Sequence, residues 1–545
     1  MPVTGPKAEV AAALEAAIRR VGADGELPDL ELARARDAVH GDYASPAGMK
    51  LARILRRRPD EIAGQVAGAV ELDIAQAEAV GGYVNFRLSP AWLRRLVREV
   101  AGRGPEYGRS GLGKEEPVQV EFGSINPTGP LHIGHGRGIV LGDSLARTLE
   151  FTGHAVAREY YVNDSNTQAK KFGESILARY EGREPPEGGY VGAYVEEIAL
   201  AARQAGVEPN EEALRKFGIA QMVERLKAVV ARLDVRYDEW FWESRVWESG
   251  LGQEAIERLR KAGYLVEKEG ALWFAPALAD ENAPDEERVV IRRTGEHTYF
   301  ASDLGYLLSR FEARGFHRVI EVWGADHHGY VPRMKAAAEA LGVEPERLVI
   351  ILNQLVNLQE GKMSKRAGRL VTLEELIDRV GSDAVRYFFI SRTPDTMMEF
   401  DLELATTQNK TNPVYYVQYA HARLAGIERF ASGRGDLPME ADLELLEHPW
   451  ELDVARVIAH WPEVVETAAL KLEPHRVPYF LYELADRVSD FYEAGNERTE
   501  NRAVVDDPAL TRARLELCRA ARVTLESGLN LIGVSAPDRM DKLED

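Results

Sequence analysis

The chain is 545 residues long, which at a prior of roughly 150 residues per domain makes about three to four domains, each able to bury its own core. Acidic residues outnumber basic ones 88 to 68, for a net charge of -20, and 45% of residues are apolar; this excludes wholesale disorder and a surface coated with phosphate-binding charge. Any nucleic-acid site is therefore a local basic stripe. The single cysteine, Cys518, excludes an intrachain disulfide framework and a multi-cysteine metal site, and reads as a small buried hydrophobe in a reducing compartment. Glu9, Glu15, Arg19 and Arg20 interrupt the first apolar stretch, so neither a signal-peptide core nor a membrane span is read, and a cytoplasmic protein is expected.

In chain order, Val10, Leu14, Ile18 and Val21 recur at helical spacing and Gly82 to Leu88 alternates like a strand, so residues 1–112 predict a small α+β domain. The loop over 102–116, rich in glycine and charge, precedes the strand candidate Val118-Gln119-Val120-Glu121-Phe122. Short buried-strand runs return at Arg318 to Trp323 and Leu348 to Leu352. Alternation of strand, glycine loop and helix predicts a parallel sheet flanked by helices, split into residues 113–165 and 290–360. Residues 166–289, with a helical run from Phe217 to Leu233 and an aromatic stretch from Tyr237 to Trp242, are read as an insertion. Thr372 and Glu375 have capping-box spacing before Leu376, Ile377 and Val380, which predicts a connecting helical region over 361–408. From 409 to 545 one-face stripes such as Val414, Val417, Ala420, Leu424 and Ile427, or Leu510, Ala513, Leu517, Ala521 and Leu525, predict an all-α helix bundle. The fold class expected is multidomain α/β with a split Rossmann-type catalytic sheet.

The segment Ser124-Ile125-Asn126-Pro127-Thr128-Gly129-Pro130-Leu131-His132-Ile133-Gly134-His135-Gly136 follows directly on a strand and places two histidines around a glycine at a helix start. Helix N-termini present unpaired N–H groups to anions, and Gly134 has no Cβ to keep a flat ring from the backbone. Nucleotide binding, a plain Pro/Gly turn, a two-histidine metal site and a dinucleotide fingerprint are all open here. The last is disfavoured because Gly136, Gly138 and Gly142 are one residue too widely spaced. Later, Glu360-Gly361-Lys362-Met363-Ser364-Lys365-Arg366-Ala367-Gly368 is a cationic glycine-flanked loop, suited to neutralising charge that builds on a departing pyrophosphate. A solvated basic turn is the bland alternative; the pairing with the histidine segment favours phosphate chemistry.

Together His132-Ile133-Gly134-His135 and Lys362-Met363-Ser364-Lys365 resemble the two signatures of class I aminoacyl-tRNA synthetases. Within that class the chain resembles the arginyl-tRNA synthetases, through Gly41-Asp42-Tyr43-Ala44, Gly82-Tyr83-Val84-Asn85-Phe86, Asn163-Asp164, Gly324-Ala325-Asp326-His327-His328-Gly329, Tyr415 to Arg423 and Gly533 to Met540. The resemblance implies that L-arginine is activated by ATP, with Mg²⁺, and passed to its tRNA. It implies that His132, His135, Lys362 and Lys365 are catalytic, the histidines on phosphate oxygens and the lysines on the β- and γ-phosphates. Gly134, Gly324, Asp326, His327, Met363 and Ser364 would bind ATP, Asp326 through the ribose hydroxyls. A guanidinium calls for carboxylates that pair with it bidentately; Glu121 and Asp303 suit, and Tyr299 joins Asp303 by resemblance. Ser124, Asn126 and His135 would hold the amino acid's main-chain groups, with Gln168 nearby. No side chain is assigned to a metal. Two positions depart from the family pattern: Asn166 stands where relatives commonly have glycine, and Gly324-Ala325 where some carry a glutamine pair.

For tRNA, the N-terminal domain offers Arg53, Arg56, Arg57, Arg58, Arg87, Arg94, Arg95 and Arg98, and the resemblance assigns Asn85 and Phe86 to an unstacked base. In the C-terminal bundle Tyr416, Tyr419 and Arg423, beside Tyr415 and His421, are candidates to read the anticodon. Activation that requires bound tRNA, and a monomer, are further expectations from the resemblance. The alternatives are a synthetase for another amino acid, a small-molecule nucleotidyltransferase, which leaves the helical C-terminus unexplained, and a catalytically dead tRNA-binding protein, which both intact signatures disfavour.

Overall fold

The structure, a computed structural model, describes residues 5–23, 25–276, 287–359, 372–433 and 437–540. It divides into two compact units, one made of Met1–Leu112, Gln408–Leu531 and Ser535–Asp545, the other of Gly113–Thr407 and Ile532–Val534. Among the described residues no helix is long and apolar enough to cross a membrane.

In the first unit β1 (Ala33–Arg34), β2 (Tyr43–Ser45), β3 (Ala75–Val80) and β4 (Tyr83–Leu88) form an antiparallel sheet in the order β1-β2-β4-β3. Val84, Phe86 and Leu88 face one way along β4 and are buried, as period-two alternation requires. Gly41 turns into β2 at φ +87°, and a Cβ there would meet the Phe86 carbonyl oxygen at 2.5 Å. Asp42 then accepts the Leu88 N–H at 2.7 Å and pairs with Arg456 at 2.8 Å. The same unit holds five C-terminal helices, Pro413–Ser432, Pro449–Ala459, Trp461–Lys471, Arg476–Glu497 and Pro508–Leu531. Tyr43 and His460 share a buried hydrogen bond of 3.0 Å, and the Trp461 indole donates to the Tyr107 carbonyl at 2.9 Å. Sequence pattern cannot see this merger, because the two stretches are joined by contacts across some four hundred positions of chain, Tyr43 to His460 being 417 apart.

The second unit is built on a five-stranded parallel sheet in the order β12-β11-β5-β6-β7: β5 (Pro117–Phe122), β6 (Ala155–Val162), β7 (Glu239–Trp242), β11 (Arg318–Gly324) and β12 (Leu348–Asn353). A small antiparallel sheet, β8 (Leu265–Lys268), β9 (Ala271–Phe274) and β10 (Arg288–Ile291), and a pair, β13 (Val356–Leu358) with β14 (Met398–Phe400), complete it. The aromatic stretch read as insertion is thus corrected: Glu239–Trp242 is the sheet's edge strand, paired parallel with β6 at Glu159↔Glu239. The helix Ile133–Phe151 links β5 to β6. It packs closely enough that a Cβ on Gly136 would lie 2.5 Å from Leu373 and 2.9 Å from Phe389. Thr372 and Glu375 make the reciprocal cap of Leu373–Val380 at 3.1 and 3.2 Å.

The chain leaves β5 toward β6 on one side, and β11 flanks β5 on the other. This reversal opens a crevice at the strands' C-terminal ends, where ligands of such sheets bind.

Candidate active site

Two histidines stand at the crevice end of β5. After Phe122, Gly123 at φ +71° turns the chain where a Cβ would meet Ile139 at 2.6 Å and the Tyr237 hydroxyl at 2.8 Å. His132 caps the helix Ile133–Phe151, and its N–H donates to His135 Nδ1 at 3.3 Å. The two rings stack with centroids 3.3 Å apart and planes 29° from parallel. Burial lowers the His132 pKa, and burial followed by the His132 charge pushes His135 down to about 3. Both imidazoles are therefore neutral near pH 7. With Nδ1 of His135 accepting, its proton sits on Nε2. A neutral N–H donor and the positive end of a 19-residue helix thus converge where an anionic oxygen is favoured. A Cβ on Gly134 would approach the His132 ring to 3.2 Å, so its glycine keeps that stack free.

Gly324 ends β11, one strand over, and the turn Ala325–Tyr330 follows. Asp326 and His327 lie 3.6 Å apart with side chains 78% and 61% exposed, open to a ligand's hydroxyl groups.

A polar network joins the loop after β5 to the start of the helix Thr167–Tyr180. Ser124 Oγ accepts the Tyr161 N–H at 3.0 Å, Asn126 donates to Gln168 at 2.8 Å, and Asn166 donates to Asn126 at 2.7 Å. Asn166 also accepts the Ala169 N–H at 2.7 Å as N-cap, with φ -80°. A left-handed backbone at Asn166 is not what this departure from the family pattern serves; its side chain caps a helix.

The carboxylates gather beside this network. Asp303, on the helix Tyr299–Leu308, accepts the Tyr330 hydroxyl at 2.5 Å. Desolvation, with Glu321 and Glu243 adding repulsion, raises its pKa to about 7. Glu121 is 6% exposed on β5 and pairs with the buried Arg310 at 3.2 Å; burial first, then Glu321, raises its pKa. The Tyr161 hydroxyl, on β6, has Glu243, Asp303, Glu121 and Asp164 as electrostatic neighbours and no hydrogen-bond partner among the described residues. Glu243 accepts from Ser302 at 2.7 Å. Tyr299 is 42% exposed, its hydroxyl bonded to Thr167 beside Gln168. Carboxylates with raised pKa values and an unspent hydroxyl together offer several acceptors to a ligand.

The structure thus brings His132, Gly134 and His135 together, Gly324 with Asp326 and His327, and Ser124 with Asn126 and Gln168, and sets Glu121 and Asp303 around Tyr161. Lys362, Met363, Ser364 and Lys365 lie outside the described residues. Tyr161, Glu243, Arg310 and Tyr330 were missed; for Tyr161 a signal existed, an aromatic pair near the C-terminal end of a parallel strand.

Comparison with known proteins adds an independent line. The family model for the class I (R) tRNA synthetase catalytic domain matches residues 103–182 and 196–424, the arginyl tRNA synthetase N-terminal domain matches 7–88, and the DALR anticodon-binding domain matches 417–540. The arginine–tRNA ligase of Moorella thermoacetica is 43% identical over 98% of this chain and 99% of its own length. That of Geobacillus kaustophilus is 42% identical over 96% and 97%. The chain belongs to the arginyl-tRNA synthetase family. The solved arginyl-tRNA synthetase of Thermus thermophilus, 24% identical, shares the fold over 98% of this chain and all of its own, with a TM-score of 0.80.

The synthetase's candidate tRNA residues lie in the first unit. Phe86 is fully buried and Asn85 is 6% exposed, because β4 lies between β2 and β3 with Phe86 opposite Tyr43 and Ala77. The expectation that a base stacks on Phe86 is corrected accordingly: its faces are already covered. The aromatic that this hairpin exposes is Tyr83, 45% accessible beside Val80 at 44% and Met49 at 44%. On the helix Pro413–Ser432, Tyr416 is 9% exposed and packs on Tyr482 at 5.2 Å. Tyr419 is half-buried and stacks with Tyr415 at 6.2 Å, and the Arg423 guanidinium lies 4.6 Å from the Tyr419 ring and 3.8 Å from that of Tyr492. His421 is buried against the Pro537 carbonyl at 3.0 Å and faces no solvent.

Proposed function

We propose that the chain ligates L-arginine to its cognate tRNA in two steps. An arginine carboxylate oxygen attacks the α-phosphorus of ATP and the bond to the β-phosphate breaks, releasing pyrophosphate and leaving arginyl-adenylate. A hydroxyl of the terminal tRNA ribose then attacks the carbonyl carbon, and AMP departs with the electrons of the acyl–phosphate bond. The protein's share is placement and charge stabilisation. The observation that carries the reading is the group of carboxylates around Tyr161 together with the His132–His135 stack at the start of the helix after β5.

In this reading His135 Nε2 and the helix N-terminus donate to phosphate oxygens, and His132 holds His135 in that tautomer. Lys362 and Lys365 neutralise the leaving pyrophosphate, with Met363 and Ser364 against the nucleotide. Asp326 takes the ribose hydroxyls, with Gly324 and His327 beside it. Asp303, Glu121 and Tyr299 take the guanidinium, and Ser124, Asn126 and Gln168 the amino acid's polar end. A Mg²⁺ ion would accompany the ATP phosphates, where it supplies charge neutralisation. We assign 1–112 and 409–545 to tRNA, 113–165 and 290–360 to the catalytic sheet, 166–289 to an insertion that contributes β7, and 361–408 to the signature loop and its connecting helices. A monomer acting in the cytoplasm completes the reading.

Pyrophosphate exchange with each of the twenty amino acids, with and without tRNA, tests it. Exchange with arginine alone, dependent on tRNA, is expected. Exchange with another amino acid overturns the pocket, and none with any amino acid favours a binding protein.

A further inference from the structure

Register places four glutamates side by side across the parallel sheet: Glu321 of β11 opposite Glu121 of β5, Glu121 opposite Glu159 of β6, and Glu159 opposite Glu239 of β7. Register partners on parallel strands share a face, and like charges so placed repel. Glu321, Glu121 and Glu159 are 2%, 6% and 1% exposed, so water cannot screen them. The cations on these three come from one stretch of chain. The helix Tyr299–Leu308 runs into a π-helical turn, Ser309–Ala313, an irregularity that recurs at functional sites. On that turn Arg310, fully buried, donates to both Glu321 and Glu121, and Arg314, just beyond it, grips both oxygens of Glu159. Tyr306, between Asp303 and Arg310, lies under the Arg310 guanidinium at 4.1 Å and donates to Glu159.

The same helix therefore carries the pocket's Asp303 at one end and, seven residues on, the cation behind the pocket's Glu121. Arg310 holds Glu121 through Oε2 alone; Ser124 also hydrogen-bonds this carboxylate, whose remaining lone pairs are left for another donor. Arg310 itself keeps Nε and Nη2 without partners among the described residues, and Glu321 keeps Oε2. A cation needed only to stabilise the core would be expected to satisfy its own donors.

We propose that Arg310 is a positioning residue for arginine recognition: it fixes Glu121 within the glutamate row and presents the second carboxylate oxygen to the substrate's guanidinium. This rests on the reading above that Glu121 takes the substrate side chain. Holding the carboxylate before the substrate arrives removes an ordering cost from binding. The effect belongs in arginine affinity rather than in the chemical step.

Aminoacylation by the full chain, with each substrate varied in turn, tests the assignment in three variants. Arg310→Lys keeps the charge and loses the planar fork; the KM for arginine is expected to rise about tenfold or more, with kcat within about threefold and the KM values for ATP and tRNA within about twofold. Arg310→Met combined with Glu321→Leu removes one charge of each sign and leaves an apolar filling. It leaves the net charge of the core unchanged should the lysine variant fold poorly, and the same rise in the KM for arginine is expected. Glu121→Gln is the control on the underlying reading. A folded Arg310→Lys or double variant with arginine KM within twofold of the parent overturns the positioning role. If Glu121→Gln also leaves that KM unchanged, the fault lies in the assignment of Glu121 to the substrate; if it raises the KM, the fault lies with Arg310 alone.

Discussion

On the proposed reading, arginine competes with a proton for Asp303. Its carboxyl is raised to about 7 by desolvation, with Glu321 and Glu243 adding to the rise and the Tyr330 hydroxyl and Arg310 opposing it. A guanidinium stays charged throughout the neutral range and favours the ionised carboxylate. In the free enzyme Asp303 is then about nine-tenths protonated at pH 6 and about nine-tenths ionised at pH 8. If the bound state is fully ionised, affinity follows the ionised fraction and rises about tenfold over that interval, or about 1.4 kcal/mol. Glu121 also starts above the ordinary carboxylate range, so it steepens the dependence in the same direction. Calorimetric titration of the full chain with arginine between about pH 6 and pH 8, in two buffers of different ionisation enthalpy, reads affinity and proton release together. Affinity independent of pH, with identical heats in both buffers, refutes the placement of the guanidinium on Asp303.

Three further outcomes follow from named contacts. Phe86→Ala empties a fully buried site and is expected to destabilise the chain by about 3–5 kcal/mol, whereas Tyr83→Ala leaves stability within about 0.5 kcal/mol and raises the KM for tRNA; chemical denaturation and aminoacylation kinetics check the pair, and the reverse pattern restores Phe86 as the base platform. His135→Ala removes the Nε2 donor and should lower pyrophosphate exchange on the order of 10²-fold or more, with tRNA affinity by filter binding changed only a few-fold; a large loss of tRNA binding overturns its role. Asn166→Ala breaks both the cap of Thr167–Tyr180 and the bond to Asn126, costing about 1 kcal/mol of stability and raising the KM for arginine, while Asn166→Asp keeps the cap and separates the two effects.

Three strands of the catalytic sheet, β5, β11 and β12, were legible as short, largely apolar runs. The His132–His135 pair was legible because both partners lie on one helical turn. The pocket was not, since Glu121, Tyr161, Glu243, Asp303 and Tyr330 come from separate elements, and only the resemblance pointed to two of them. Glu239–Trp242 was misplaced for a related reason: pairing partners of a parallel strand lie far off in sequence, and aromatic residues on a sheet edge carry no mark of it. Phe86 was misjudged despite a usable signal. The alternation Val84, Phe86, Leu88 already puts Phe86 with the core face and Tyr83 at the hairpin's mouth, where the period and the motif resemblance point to different residues.

The distribution of charge in the catalytic unit argues that the pocket and the core are one electrostatic object. Glu321, Glu121 and Glu159 lie in a buried row, with Asp303 and Glu243 close by, and Arg310 and Arg314 are the chain's own cations upon them. Two guanidiniums leave Asp303, Glu121 and Glu243 short of countercharge in a low-dielectric setting. Desolvation first, then repulsion from neighbouring carboxylates, raises Asp303 and Glu121, and a proton there substitutes for a missing cation. A substrate that brings one more guanidinium replaces a proton with a charge that also has the donor geometry the two internal arginines already use. Lysine brings the charge as a compact ammonium without the fork, and citrulline the shape without the charge. Each should bind more weakly than arginine, with citrulline showing no gain between about pH 6 and pH 8 because it has no charge to exchange for the proton.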